Sequence, residues 1–131
     1  MSQENVELFY QSVDTVNQRD LGAFLDLMDS DVEVVSRIVA IEGGLHGHDG
    51  VRRWWQAWFE AFPDYDIEVV EVRDLGELTL AALRARGHGG GSEVPFEDKA
   101  WLACQWRGRK CVWWRVFSNR AEALEATGLR E

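Results

Sequence analysis

Polar residues on strand faces otherwise built of apolar side chains are the first places to look for chemistry, because an isolated buried charge is costly unless it is paired or used. From Val94 to Trp106 alternate positions read Val94, Phe96, Asp98, Ala100, Leu102, Cys104 and Trp106, so one carboxylate interrupts an apolar face. In an apolar pocket Asp98 would be pushed toward the range useful for general acid or base work; at an open rim it would be hydrated or paired with an arginine. Arg84 is the matching anomaly in Leu78, Leu80, Ala82, Arg84, Arg86. It could clamp a carboxylate or enolate oxygen, or neutralise Asp98 as an ion pair. Histidine is the residue type suited to proton transfer near neutral pH; His46 is expected near a pocket mouth as a catalytic candidate, whereas His48 is expected to order a helix start. His88 falls in the Gly-rich run GHGGGS and reads as solvated. Arg37 at a strand end could reach the mouth or stay exposed, and Tyr10 and Tyr65 could each donate a hydroxyl to a ligand oxygen.

The element that must position these groups is a helix with an aromatic face. Val51, Trp54, Trp55, Trp58, Phe59 and Phe62 recur at helical spacing. Arg52, Arg53, Gln56 and Glu60 take the other side, Asp49 is placed to cap the start, and Pro63 stops continuation. Upstream, a helix from Ser2 carries the stripe Val6, Phe9, Tyr10, Val13, Val16, and Asp20 caps a short helix burying Leu21, Phe24, Leu25 and Met28. A β-branched run, Val32 to Val39, follows. Beyond Pro63 four strand patterns, Tyr65 to Arg73, Leu78 to Arg86, Val94 to Arg107 and Lys110 to Ser118, form an antiparallel meander. Asn119 opens a last helix that ends before Gly128. The order is α+β: a curved sheet with helices over one face, in one domain spanning 1–131. On the last strand Trp113 and Phe117 would leave a second apolar face open, which predicts a homodimer through the sheet.

Composition narrows the functional classes. A net charge of -9 and a pI near 4.8 leave no basic face for nucleic acid or an anionic membrane surface. No apolar run approaches the ~20 residues of a membrane span, and MSQENVEL lacks a signal-peptide pattern, so a cytoplasmic location is expected. Cys104 and Cys111 flank a turn at Arg107 to Arg109; a three-residue loop would put them on opposite faces as reduced thiols. Seven tryptophans in 131 residues are a large aromatic load. Most are expected to be core, with Trp54, Trp58 and Trp114 as candidates to wall a pocket for a flat polycyclic or terpenoid molecule.

The Gly-His-Asp-Gly-Val run at Gly47 to Val51, the MSQENVEL start, the Asp20 to Met28 helix and the closing NRAEALEATGL resemble the nuclear-transport-factor-2-like superfamily. More narrowly they resemble its SnoaL-like group of small polyketide cyclases, limonene epoxide hydrolases and ketosteroid isomerases. That resemblance implies a cone-shaped α+β barrel with one deep apolar pocket, a homodimer, and no metal or organic cofactor. It aligns the Trp-Arg-Asp run of the epoxide hydrolases with Trp114, Arg115 and Val116, so valine stands where they carry a catalytic aspartate. The cyclases' histidine on the preceding strand aligns with Leu102. Three functions are therefore expected to compete: acid/base isomerisation, cyclisation or hydration of a small hydrophobic ligand, with Asp98, Arg84 and His46 as the reacting groups; binding of such a ligand without turnover, against Tyr10, Arg37, Trp54, Trp58, Leu102, Trp114 and Val116; and an interaction module with a filled cone.

Overall fold

The computed structural model describes residues 2–35, 45–88 and 95–128, excluding the side chains of Ser2, His88, Pro95, Phe96 and Asp98. Two helices open the chain, α1 (Ser2–Asn17) and α2 (Leu21–Asp26), followed by strand β1 (Met28–Val35). A short strand β2 (Leu45–His46) runs directly into helix α3 (Gly47–Ala61). Strands β3 (Asp66–Leu75), β4 (Leu78–His88), β5 (Pro95–Arg107) and β6 (Lys110–Phe117) then precede helix α4 (Arg120–Thr127). No helix among the described residues is long and apolar enough to cross a membrane.

The strands form one sheet in the order β2-β1-β6-β5-β4-β3. Its β3 to β6 part is the expected antiparallel meander, and β1 adds to β6 in parallel. Register breaks at Val70 in β3, near Gln105 and Trp106 in β5, and between Met28 and Glu33 in β1 bend it. The concave side receives α1, which packs on β3, and α3, which packs on β1. The last four residues expected in the first strand, 36–39, lie outside the described residues.

Local signals account for three helix ends. Asp20 Oδ1 accepts from the Ala23 amide at 3.1 Å to start α2, and Asn119 Oδ1 accepts from the Glu122 amide at 2.9 Å to start α4, which closes on left-handed Gly128 at φ 76°. The buried face of α1 is Leu8, Phe9, Ser12, Val13 and Val16. Tyr10, placed in that stripe by sequence, is 44% exposed, because one further residue turns it about 100° from Phe9. Ser12 takes a core position because its hydroxyl donates to the Phe9 carbonyl at 2.6 Å.

Helix α3 starts differently from the sequence expectation. His46 is its N-cap residue and makes no side-chain cap, while Asp49 lies in the first turn and accepts from Arg52 at 2.8 Å. Close packing replaces the cap. Gly47 adopts φ 69°, and a Cβ there would meet the Ser30 carbonyl at 3.1 Å; a Cβ at Gly50 would meet the Leu45 backbone at 3.0 Å. His48 Nε2 donates to the Met28 carbonyl at 2.9 Å. The Gly-His-Asp-Gly run thus clasps the helix start to β1 and β2.

The β5–β6 hairpin corrects the expected register. Gly108 and Arg109 alone form the loop, both with positive φ (56° and 67°), so Arg107 pairs with Lys110 and Trp106 with Cys111. Val112 is then an extra residue, and Cys104 pairs with Trp114 rather than Val112. The combined shifts turn Cys111 into the same buried cluster as Cys104, both as free thiols. Burial, and then the neighbouring Cys111, push the Cys104 thiol well above the ordinary cysteine range, against a smaller lowering by Thr79.

On the convex side α4 covers Leu80, Ala103 and Phe117 with Ala123 and Leu124, and Trp101 and Trp113 pack at its margin. The open Trp113–Phe117 patch expected from sequence is therefore largely closed. Arg120 and Arg115 add guanidinium cover over the Trp101 and Phe117 rings, at 5.9 and 4.8 Å from their centroids.

Because backbone, not a yielding side-chain tip, faces Gly50, Gly50→Ala is expected to lower stability by about 1–3 kcal/mol in urea denaturation followed by tryptophan fluorescence. A loss under about 0.5 kcal/mol would show that helix and strand can part without cost.

Candidate functional site

The clasp at the start of α3 fixes where its aromatic face meets the sheet. Phe24 of α2 is fully buried at the centre of that contact, with ring centroids 5.7 Å from Trp54, 5.3 Å from Trp55 and 5.3 Å from Trp114. Trp54 and Trp114 lie 6.1 Å apart, completing a cluster that spans helix and sheet. Farther along α3, Trp58 meets Tyr65 edge-on at 4.6 Å and Phe62 at 5.5 Å.

Between these two aromatic groups the helix stands off the sheet and leaves a cavity. Trp54 and Trp58 wall it from α3, and Ala100 and Leu102 of β5 with Trp114 and Val116 of β6 form its floor. Val16, Tyr65, Ile67 and Leu83 close the sides. The concavity measures about 480 Å³ when its opening to solvent is included, but only about 30 Å³ is wide enough for the centre of a water molecule. It is a narrow cleft, and a ring-sized guest enters only if its aromatic walls part.

The lining is largely apolar. Trp58 and Trp114 are 9% and 2% exposed, and both indole Nε1 atoms are sealed from solvent with no hydrogen-bond partner among the described residues. Buried indole N–H groups ordinarily find an acceptor, and one left unpaired costs about 1–3 kcal/mol.

Of the residues singled out by sequence, Trp54, Trp58, Leu102, Trp114 and Val116 border this cavity. Tyr10 does not: it is exposed on α1 against Phe9. His46 lies on the exposed rim beside Asp31, 3.9 Å away, and both side chains are largely solvated. Arg37 lies outside the described residues. Position 98 is paired with Ala85 across β4 and β5, and Ala85 is buried in the main core. Position 98 therefore belongs to the cavity side of the sheet, two residues from Ala100.

Arg84 belongs to the other side. It pairs with Lys99 in the ladder, and alternation sends it to the convex face. There its Nε lies 3.0 Å from Glu97 Oε1 and its Nη1 4.0 Å from Glu68, which also accepts from Arg86 at 3.1 Å. The expected Arg84–Asp98 pair is thus replaced by Arg84–Glu97, since residues one apart in register face opposite ways. Ile67, Leu83 and Ala100 went unmarked in the sequence; alternation from Leu102 reaches Ala100, but the other two need the cross-strand register.

An α+β cone with its N-terminal helices and α3 on the concave face and an apolar cleft beneath α3 is the nuclear-transport-factor-2-like class of fold. The sequence profile of the SnoaL-like domain matches residues 7–119, and the chain belongs to that family. A search of curated proteins finds no relative. Among solved structures, the fold is similar to that of a protein of unknown function from Burkholderia pseudomallei (TM-score 0.80, 17% identity, covering 93% of this chain and 95% of that one). It is also similar to a protein assigned as a SnoaL-like polyketide cyclase from Jannaschia sp. CCS1 (TM-score 0.78, 15% identity, 99% and 95% covered). A third similar structure is TerC co-crystallised with polyporic acid (TM-score 0.77, 16% identity, 93% and 96% covered).

Since Arg84 sits across the sheet from the cavity in a half-exposed ion pair, Arg84→Ala is expected to change stability by no more than about 1 kcal/mol. Its tryptophan emission maximum should match that of the parent; a red shift would show that Arg84 supports the cavity wall.

Proposed function

We propose that the protein binds a small, flat, hydrophobic molecule of the polyketide, terpenoid or steroid kind in the cleft between α3 and the sheet. The observation that carries this reading is the cleft itself, an apolar space walled by three tryptophans where a fully packed core would have left none. The similarity to a protein assigned as a polyketide cyclase, and to one co-crystallised with polyporic acid, supports the ligand class.

A catalytic reading has its own support in the register that assigns position 98 to the cavity side. In that reading the protein is a cofactor-independent isomerase, cyclase or hydrolase, with Asp98 moving the proton. Arg84 and His46 take no part, one lying across the sheet and the other in solvent on the rim.

Native mass spectrometry of freshly purified protein tests both. A co-purified small molecule is expected, and Leu102→Trp, which fills the floor, should abolish it; retention of the molecule in that variant would place it elsewhere. Incubating the recovered molecule with the protein should give a product that Asp98→Asn lowers by at least about 10²-fold if Asp98 is the general base. Unchanged molecule in both proteins would leave binding alone.

A homodimer through the convex face of the sheet completes the proposal. It is supported by Val70, 57% exposed at the β3 bulge, which shares a surface depression with Ala82 and Trp101. Light scattering should give a mass near twice 15.0 kDa, and a monodisperse monomer would rule it out.

A further inference from the structure

Two polar side chains hold one corner of the cleft shut. Among the described residues that border it, Tyr65 alone lies outside helix and strand, in the turn between α3 and β3. Arg19, just past the end of α1, reaches across to that turn. Its Nη2 donates to the Pro63 carbonyl at 3.1 Å and to the Tyr65 carbonyl, while Nη1 donates to the Val16 carbonyl at 3.0 Å. Its guanidinium carbon lies 4.2 Å from the centroid of the Phe59 ring. Asn17 closes the same seam: its side-chain amide donates to the Ile67 carbonyl and accepts from the Ile67 amide, both at 2.9 Å. Val16, Tyr65 and Ile67, each held by this seam, are side-wall residues of the cleft. From this we infer that Arg19 is a positioning residue that sets how readily the cleft opens, and that a guest enters by release of the seam between α1 and the α3–β3 turn. The inference rests on the cleft being a ligand site and adds its point of entry.

Arginine is an unexpected residue for this place in the chain. The Arg19 amide donates to the Val16 carbonyl at 3.1 Å and the Asp20 amide to the Thr15 carbonyl at 2.9 Å, a helix ending that uses the left-handed conformation Arg19 adopts at φ 60°. Glycine takes that conformation without steric cost and is its usual occupant. An arginine there is disfavoured by its backbone and favoured by its fork of donors, which suits carbonyls presented by two elements. At its other end α3 is fixed by the packing of Gly50 on Leu45. Movement about that fixed start swings the α3 C-terminus, and the Arg19 seam lies at the end that moves farthest. Trp58 follows the turn, because its ring meets Tyr65 edge-on at 4.6 Å. The closed cleft has room for the centre of a water molecule in only about 30 Å³. Parting Trp58 and Tyr65 from the floor is therefore the step that makes room for a ring.

Indole hydrogen exchange, followed in ¹H–¹⁵N spectra, tests the seam without a ligand. Arg19→Gly removes the fork and relieves the backbone, so its urea midpoint should stay close to that of the parent. The Trp58 indole N–H, sealed beside the cleft, should exchange about tenfold or more faster in Arg19→Gly, the effect of losing two net hydrogen bonds across the seam. The Trp106 indole N–H, paired with Thr79 in closed core, should exchange at the parent's rate. Equal acceleration of both groups, or of neither, would overturn the inference. Naphthalene is the probe for entry. Stopped-flow quenching of tryptophan fluorescence should show it associating with Arg19→Gly faster by a similar factor, with dissociation raised alike and affinity nearly unchanged. An unchanged association rate would likewise overturn the inference. Failure of naphthalene to bind the unaltered protein would overturn the ligand-site reading, and the role of the seam in entry with it, whatever the exchange rates. Should Arg19→Gly fail to fold, Arg19→Lys, which keeps the charge but not the fork, decides by the same two readouts.

Discussion

The contact on which the rest of the site depends is the seating of α3 on the β1–β2 edge. Gly50 brings the helix within van der Waals contact of the Leu45 backbone, and His48 anchors it to the Met28 carbonyl. A helix held this tightly at one end behaves as a lever: its first turns press onto the sheet, and its later turns lie over the wider part of the curve. Trp55 consequently packs on Phe24 in closed core, whereas Trp54 and, one turn on, Trp58 border the cleft. A side chain at position 50 would lift the start of the helix, and every aromatic ring beyond it would shift.

Large rings suit this construction. A cone of one curved sheet and two helices has a wedge-shaped interior, and a few broad side chains fill it with fewer backbone elements than many small ones would need. The cost falls on the polar atom each tryptophan carries. Trp106 is satisfied, its Nε1 donating to the buried Thr79 hydroxyl at 3.0 Å. Trp58 and Trp114 are not, and both border the cleft. The same residue type is therefore handled in two ways, paired at Trp106 and left without a partner among the described residues at Trp58 and Trp114.

How much of this was legible in the sequence depended on the range of the interaction concerned. The aromatic face of α3, the Asp20 and Asn119 caps and the stop at Pro63 are local, set by residues within a turn or two of each other, and they were readable. The convex placement of Arg84 and the side shared by Cys104 and Cys111 depend on parity along strands. A two-residue hairpin in place of a three-residue one, with Val112 inserted, reverses parity for everything before it on β6. Single-sequence patterns do not reveal such bulges, because a bulged strand alternates as convincingly as a regular one on each side of the break. The parallel addition of β1 to β6 was hidden for a related reason, since it joins segments about 80 residues apart with no turn between them to advertise the pairing.

The polar inventory of the cleft also bears on which chemistry it can host. The positions that the family resemblance equates with a catalytic histidine and aspartate are Leu102 and Val116, and both are floor residues. Their side chains place no proton acceptor in the middle of the cleft floor. A floor of leucine, valine, alanine and tryptophan side chains cannot take a proton from a molecule bound on it. Any proton acceptor must work from the rim of the sheet, and on β5 position 98 has the parity for that role.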